Sequence, residues 1–112
     1  MTTTISKVTA IGANALDPAD PLAILFGESA TPALRDVAVI QQFEDAQAQL
    51  ALTVAVGDHV EIDSVSYVVE RVGKLANQNL QTIGHVSLIF DQIPDQPMEN
   101  ALYLKPEVKP QL

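Results

Sequence analysis

The chain has 112 residues, with 6 Lys+Arg against 14 Asp+Glu for a formal net charge of -8, 47% hydrophobic and 18% charged residues, and no cysteine. One hydrophobic core suits this length, and the composition is that of a folding globular domain rather than a disordered or fibrous chain. The acidic balance repels phosphate backbones and anionic headgroups, so nucleic acid and membrane surfaces are excluded as partners, and the missing thiols exclude disulfides and thiolate chemistry and point to the cytoplasm.

Apolar runs such as Leu22-Ala23-Ile24-Leu25-Phe26 are far shorter than a bilayer span. Met1-Thr2-Thr3-Thr4 has no basic flank followed by an apolar stretch, so no targeting segment and no membrane insertion are expected. From Thr3 to Ile11 the chain is rich in Thr, Ile and Val, which predicts a first strand on propensity, ended by a bulge or turn at Gly12. Asp17-Pro18-Ala19-Asp20-Pro21 is a breaker cluster: its prolines fix φ and remove donors, and its aspartates close local turns.

Leu22–Phe26, stopped by Gly27, reads as a short buried strand. Asp36–Phe43 reads as another, with Val37, Val39, Gln41 and Phe43 on one face and Ala38 and Ile40 on the other. Glu44–Val56 mixes helix formers over Ala46–Leu52 with apolar residues at every second position, and Leu50, Leu52, Val54 and Val56 predict a strand over its second half. Val60 and Ile62, then Val65–Val72, predict a hairpin closed at Asp63-Ser64. Its turn type is open, because no glycine stands at the second turn position.

Leu75–Leu80 predicts one short helical segment with Ala76, Leu80 and Ile83 on a common face, stopped near Gly84. Val86, Leu88 and Phe90 then share one face of a strand and His85, Ser87 and Ile89 the other, before Pro94 and Pro97 break it. Ala101–Leu104 predicts a last strand, and residues 105–112, with Pro106 and Pro110, a loosely held tail. The expectation is a single all-β domain over residues 1–112, a small closed or partly open barrel of about six to seven short strands with one short helical segment.

No phosphate-binding glycine loop, dinucleotide fingerprint, nucleophile elbow or metal-type histidine pair is present. No cofactor or metal is therefore expected. His59 and His85 are the two histidines, and they are far apart in sequence.

The order and spacing of several short segments carry a resemblance that none of them carries singly. Thr4-Ile5, Ile11-Gly12 and Ala15 come first, followed by Val39-Ile40-Gln41-Gln42-Phe43 and Val56-Gly57-Asp58. Tyr67-Val68-Val69, Val72-Gly73 and Asn79-Leu80 then lead into Gly84-His85-Val86-Ser87-Leu88-Ile89-Phe90-Asp91. Over nearly its whole length the chain resembles the glucitol/sorbitol-specific IIA component of the bacterial sugar phosphotransferase system (PTS). The resemblance implies a phosphoryl carrier that takes its group from the phosphocarrier protein onto a histidine and hands it to a IIB component in hexitol uptake. A neutral imidazole suits this relay, since it attacks phosphorus at neutral pH and forms a labile phosphoramidate.

By the same resemblance the family's acceptor histidine falls at Gln41, and a second histidine of that strand at Phe43. A glutamine amide nitrogen is a poor nucleophile because its lone pair is delocalised into the carbonyl, although both of its ends form hydrogen bonds. On residue type alone Gln41 reads as a solvated strand residue. His85 matches a family histidine, with three roles open to it: orienting a phosphate, donating a hydrogen bond, or acting as an alternative acceptor. His59 reads as surface.

The candidate site is thus Gln41 and His85. The functions in play are a phosphoryl-carrying IIA protein, a non-phosphorylatable IIA-like binding or regulatory module, and an unrelated small barrel around an apolar ligand. Partners are the phosphocarrier protein and a IIB component, with a homo-oligomer left open. An acidic surface steers a basic-faced partner toward either of the first two.

Overall fold

The computed structural model describes residues 3–17 and 19–110. Met1, Thr2, Pro18, Gln111 and Leu112 lie outside it, and with them part of the amino-end reading, of the breaker cluster and of the tail. The described strands are β1 (Ser6–Ile11), β2 (Leu22–Phe26), β3 (Val39–Phe43), β4 (His59–Ile62), β5 (Val65–Val72), β6 (Val86–Ile89) and β7 (Ala101–Lys105). They form one seven-stranded sheet in the order β1-β3-β2-β6-β7-β5-β4, a half-barrel with β1 and β4 at its edges. The expected partly open barrel is what forms. The pairs β2/β3 and β6/β7 run parallel and the other neighbours antiparallel.

The alternation read from the sequence assigns the two sheet faces. Val86, Leu88 and Phe90 join Tyr67, Val69 and Leu104 in the main core, over which Ala76 and Leu80 pack. Each fully buried Val, Leu or Phe among them contributes about 1.5–3 kcal/mol. Phe26 and Ile40, from the opposite parity of β2 and β3, form a smaller cluster with Ala30 and Ala38.

Among the described residues three short helices form where a single one is expected. The first, α1 (Pro32–Asp36), takes the start of the stretch read as strand from Asp36; Thr31 caps it through its side chain and Pro32 supplies a preset φ at the first turn. The second, α2 (Ala46–Ala51), is capped by Asp45, whose carboxylate accepts from the backbone of Gln47 and Ala48. It overturns the strand expected around Leu50–Val56. Val54 has no strand partner: its N–H and C=O are taken by the side-chain amide of Asn77, at 2.7 and 3.1 Å. Leu50 and Val56 are 67% and 66% exposed, so of the four alternating residues only Leu52 and Val54 pack against the core.

The third helix, α3 (Ala76–Ile83), is the one the sequence indicates. Ala76 and Leu80 are buried as expected, but Ile83 is 39% exposed, because the helix ends there and Gly84 turns the chain away. Asp63 and Ser64 both have positive φ, 48° and 71°, which makes the β4–β5 turn type I′. Beyond β7, the Tyr67 hydroxyl donates to Val108 O at 2.8 Å, and Lys109 Nζ donates to the carbonyls of Asp17 and Asp20 at 2.9 and 3.0 Å. No helix among the described residues is long and apolar enough to cross a membrane.

Candidate functional site

The candidate site is built around a corner where α3 hands over to β6. Gly84 closes the helix in the left-handed conformation, φ 65° and ψ 25°, with its N–H on Asn79 and Leu80 oxygens. A glycine suits this place for a second reason. A Cβ at Gly84 would lie 3.3 Å from both Cα and N of Gly27, the residue that follows β2 and donates its N–H to Ile83 O at 2.9 Å. The paired glycines let the end of β2 and the start of β6 approach with nothing between them.

His85 follows at once. Its backbone N–H donates to Asn79 O at 3.2 Å, its ring Nδ1 lies 3.0 Å from Leu25 O, and the ring stacks on Phe26 with centroids 4.5 Å apart at 30°. A carbonyl oxygen accepts only, so Nδ1 carries the proton and donates. In the neutral ring the lone pair is then on Nε2. Among the described residues Nε2 has no hydrogen-bond partner, and it is not among the buried unpartnered atoms, so on a half-buried ring it is the nitrogen that faces outward.

Gln41 reaches the same corner from β3. It is 5% exposed, so its expected place as a solvated strand residue is corrected. Its Nε2 donates to Gly84 O at 2.9 Å and its Oε1 accepts from the Ser6 hydroxyl at 2.7 Å. With both amide ends occupied, burial is affordable. Gln41 and His85 therefore meet through the backbone of Gly84, with no hydrogen bond between their side chains among those described. His59, on edge strand β4, is exposed and opposite Val68, away from this corner. Phe43 is half-buried and packs against the main core.

The loop after β2 carries Glu28, two residues beyond Phe26. The Thr9 hydroxyl donates to Glu28, and with Arg35 beside it this holds the Glu28 carboxyl below the usual carboxylate range. Arg35 is committed to that loop, donating from Nε to Ala30 O at 3.1 Å and from NH2 to Glu28 O at 2.6 Å. Among the described residues no three His, Asp or Glu side chains gather as metal donors.

Ser6, Leu25, Phe26 and Asn79 were not readable as site residues. Two of them act through backbone carbonyls, which leave no mark in side-chain sequence. The Phe26-Gly27 end of β2 was the available signal.

The half-barrel has a solved counterpart among phosphotransferase IIA components. The crystal structure of a PTS system IIA component from Enterococcus faecalis V583 matches with a TM-score of 0.89 and 40% sequence identity, covering 96% of this chain and 90% of that one. More narrowly, the chain belongs to the PTS system glucitol/sorbitol-specific IIA component family, whose model matches residues 3–112. The PTS system glucitol/sorbitol-specific EIIA component of Escherichia coli (strain K12) is 30% identical over 102 residues, which span 88% of this chain and 78% of the relative.

Proposed function

We propose that this chain works at the IIA station of a glucitol/sorbitol phosphotransferase system in the cytoplasm, taking a phosphoryl group from the phosphocarrier protein onto His85 Nε2 and passing it to a IIB component. The supporting observation is the 3.0 Å contact of His85 Nδ1 with Leu25 O, which holds the proton on Nδ1 and the lone pair on the outward nitrogen. Nε2 attacks phosphorus as the bond to the donor atom of the phosphocarrier breaks, and that atom leaves with the electron pair. The ring gains positive charge, which the Leu25 carbonyl stabilises through Nδ1–H. Keeping that proton in place also keeps the imidazole a good leaving group for the second transfer.

On the resemblance set out above, position 41 is the family's acceptor position, and Gln41 offers no nucleophile there. Its burial, with both amide ends bound, favours a second reading in which the module docks on the same partners without carrying phosphate. One assay separates the two. Incubation with phosphoenolpyruvate, the phosphocarrier protein and the enzyme that charges it should add one acid-labile phosphoryl group, as read by intact mass. Binding to the phosphocarrier or IIB component with no mass change supports the docking module and removes the carrier.

A further inference from the structure

We propose that Gln41 is a positioning residue for His85, acting through the peptide between Gly84 and His85. This rests on His85 as the phosphoryl acceptor. Gln41 Nε2 donates to Gly84 O at 2.9 Å while Ser6 Oγ donates to Gln41 Oε1 at 2.7 Å. The direction of this relay is forced. Gly84 O only accepts, so the amide turns its NH₂ inward to it, its oxygen faces β1, and the Ser6 hydroxyl must donate.

The Gly84–His85 peptide is consequently gripped on both edges, its oxygen by Gln41 and its N–H by Asn79 O at 3.2 Å. Those two bonds matter more here than elsewhere. Gly84 has no Cβ and sits in the left-handed region, so local sterics leave the tilt of the next peptide plane loosely defined. The tilt decides where the His85 side chain departs, and hence whether its ring meets both the Leu25 carbonyl and the Phe26 face. Without the Gln41 donor the buried Gly84 carbonyl is left short of a partner, and rotation of the peptide relieves it. The imidazole then swings off Leu25 O and loses its fixed tautomer. Ser6 lies on edge strand β1, so the relay also makes His85 sensitive to the seating of that strand.

The experiment is ¹⁵N NMR of the His85 ring in Gln41→Met, which keeps side-chain length and removes the donor, alongside a thermal melt and the rate of phosphoryl acceptance from charged phosphocarrier protein. We expect a folded protein whose ring nitrogens move from the Nδ1-protonated pattern toward a mixture of tautomers, with acceptance slowed about ten-fold, the equivalent of about 1.4 kcal/mol in the barrier. Ser6→Ala, which removes the outer bond only, should move the ring less. Ring shifts unchanged in a folded Gln41→Met protein overturn the proposal. Should that variant fail to fold, Gln41→Leu is read by the same criterion, since its apolar side chain likewise offers no donor to Gly84 O. If the parent chain takes up no phosphoryl group and the ring shifts nevertheless move, the positioning role stands and the carrier reading falls.

Discussion

Gly84→Ala perturbs the corner on which the site is built, and the structure sets its magnitude. Alanine at φ 65° costs about 1–2 kcal/mol from the left-handed backbone alone. Its Cβ then lies 3.3 Å from Gly27 Cα and N, both backbone atoms. Gly27 is itself tied to Ile83 O at 2.9 Å, so it yields little, and crowding of this kind adds about 1 kcal/mol. A total of about 2–3 kcal/mol corresponds to a fall in Tm on the order of 10 °C for a domain of this size.

Gly57→Ala is the matched control. Its φ is 93° and an added Cβ meets nothing within 4 Å, so only the backbone cost of about 1–2 kcal/mol applies. Both variants are compared by calorimetry and urea unfolding. Equal losses for the two would refute the claim that the Gly27–Gly84 approach is tight.

Three further outcomes are expected. Ser64→Gly should stabilise the fold by about 1 kcal/mol, since Ser64 holds φ 71° in the type I′ turn; a neutral or destabilising result in urea melts would count against that turn. Burial raises the Tyr67 phenol above the usual tyrosine range. The neutral form is favoured in the fold, so this contribution is complete below the unfolded pKa of about 10 and disappears as pH rises through the folded value. Phenolate absorbance should show Tyr67 ionising late and together with alkaline loss of structure, and Tyr67→Phe should lose the late step. Glu28 has a lowered pKa, from the Thr9 hydroxyl first and then Arg35, so its contribution is present above the unfolded value of about 4.3 and fades as pH falls through the folded one. A carboxyl ¹³C titration should place its midpoint below that of an ordinary glutamate, and Thr9→Val should raise it.

Strands bounded by strong punctuation were legible in the sequence. Leu22–Phe26 against Gly27, the Asp63-Ser64 hairpin and the helix stopped by Gly84 all form where the residues indicate. The helices α1 and α2 were not seen, although Thr31-Pro32 and Asp45 are ordinary capping residues, because they precede segments whose β-like alternation outweighed them. At Leu52 and Val54 that alternation reflects packing against the core without a strand partner. Gln81 and Asn77 supply from their side chains the hydrogen bonds a neighbouring strand would have given.

The site was half legible. The family resemblance brought out Gln41 and His85, and the structure brings both to Gly84, but type alone made Gln41 look solvated. Its burial depends on Ser6 and on a carbonyl, partners no local pattern discloses. The tautomer of His85 likewise depends on the Leu25 backbone, which any residue at that position would provide.

The most direct measurement is intact-mass and peptide-mapping analysis of the chain after incubation with phosphoenolpyruvate, the phosphocarrier protein and its charging enzyme. A single acid-labile phosphoryl group on the peptide containing His85, absent in His85→Gln and retained in His59→Gln, is the predicted result. No adduct on the parent chain, or an adduct that survives in His85→Gln, would contradict the account.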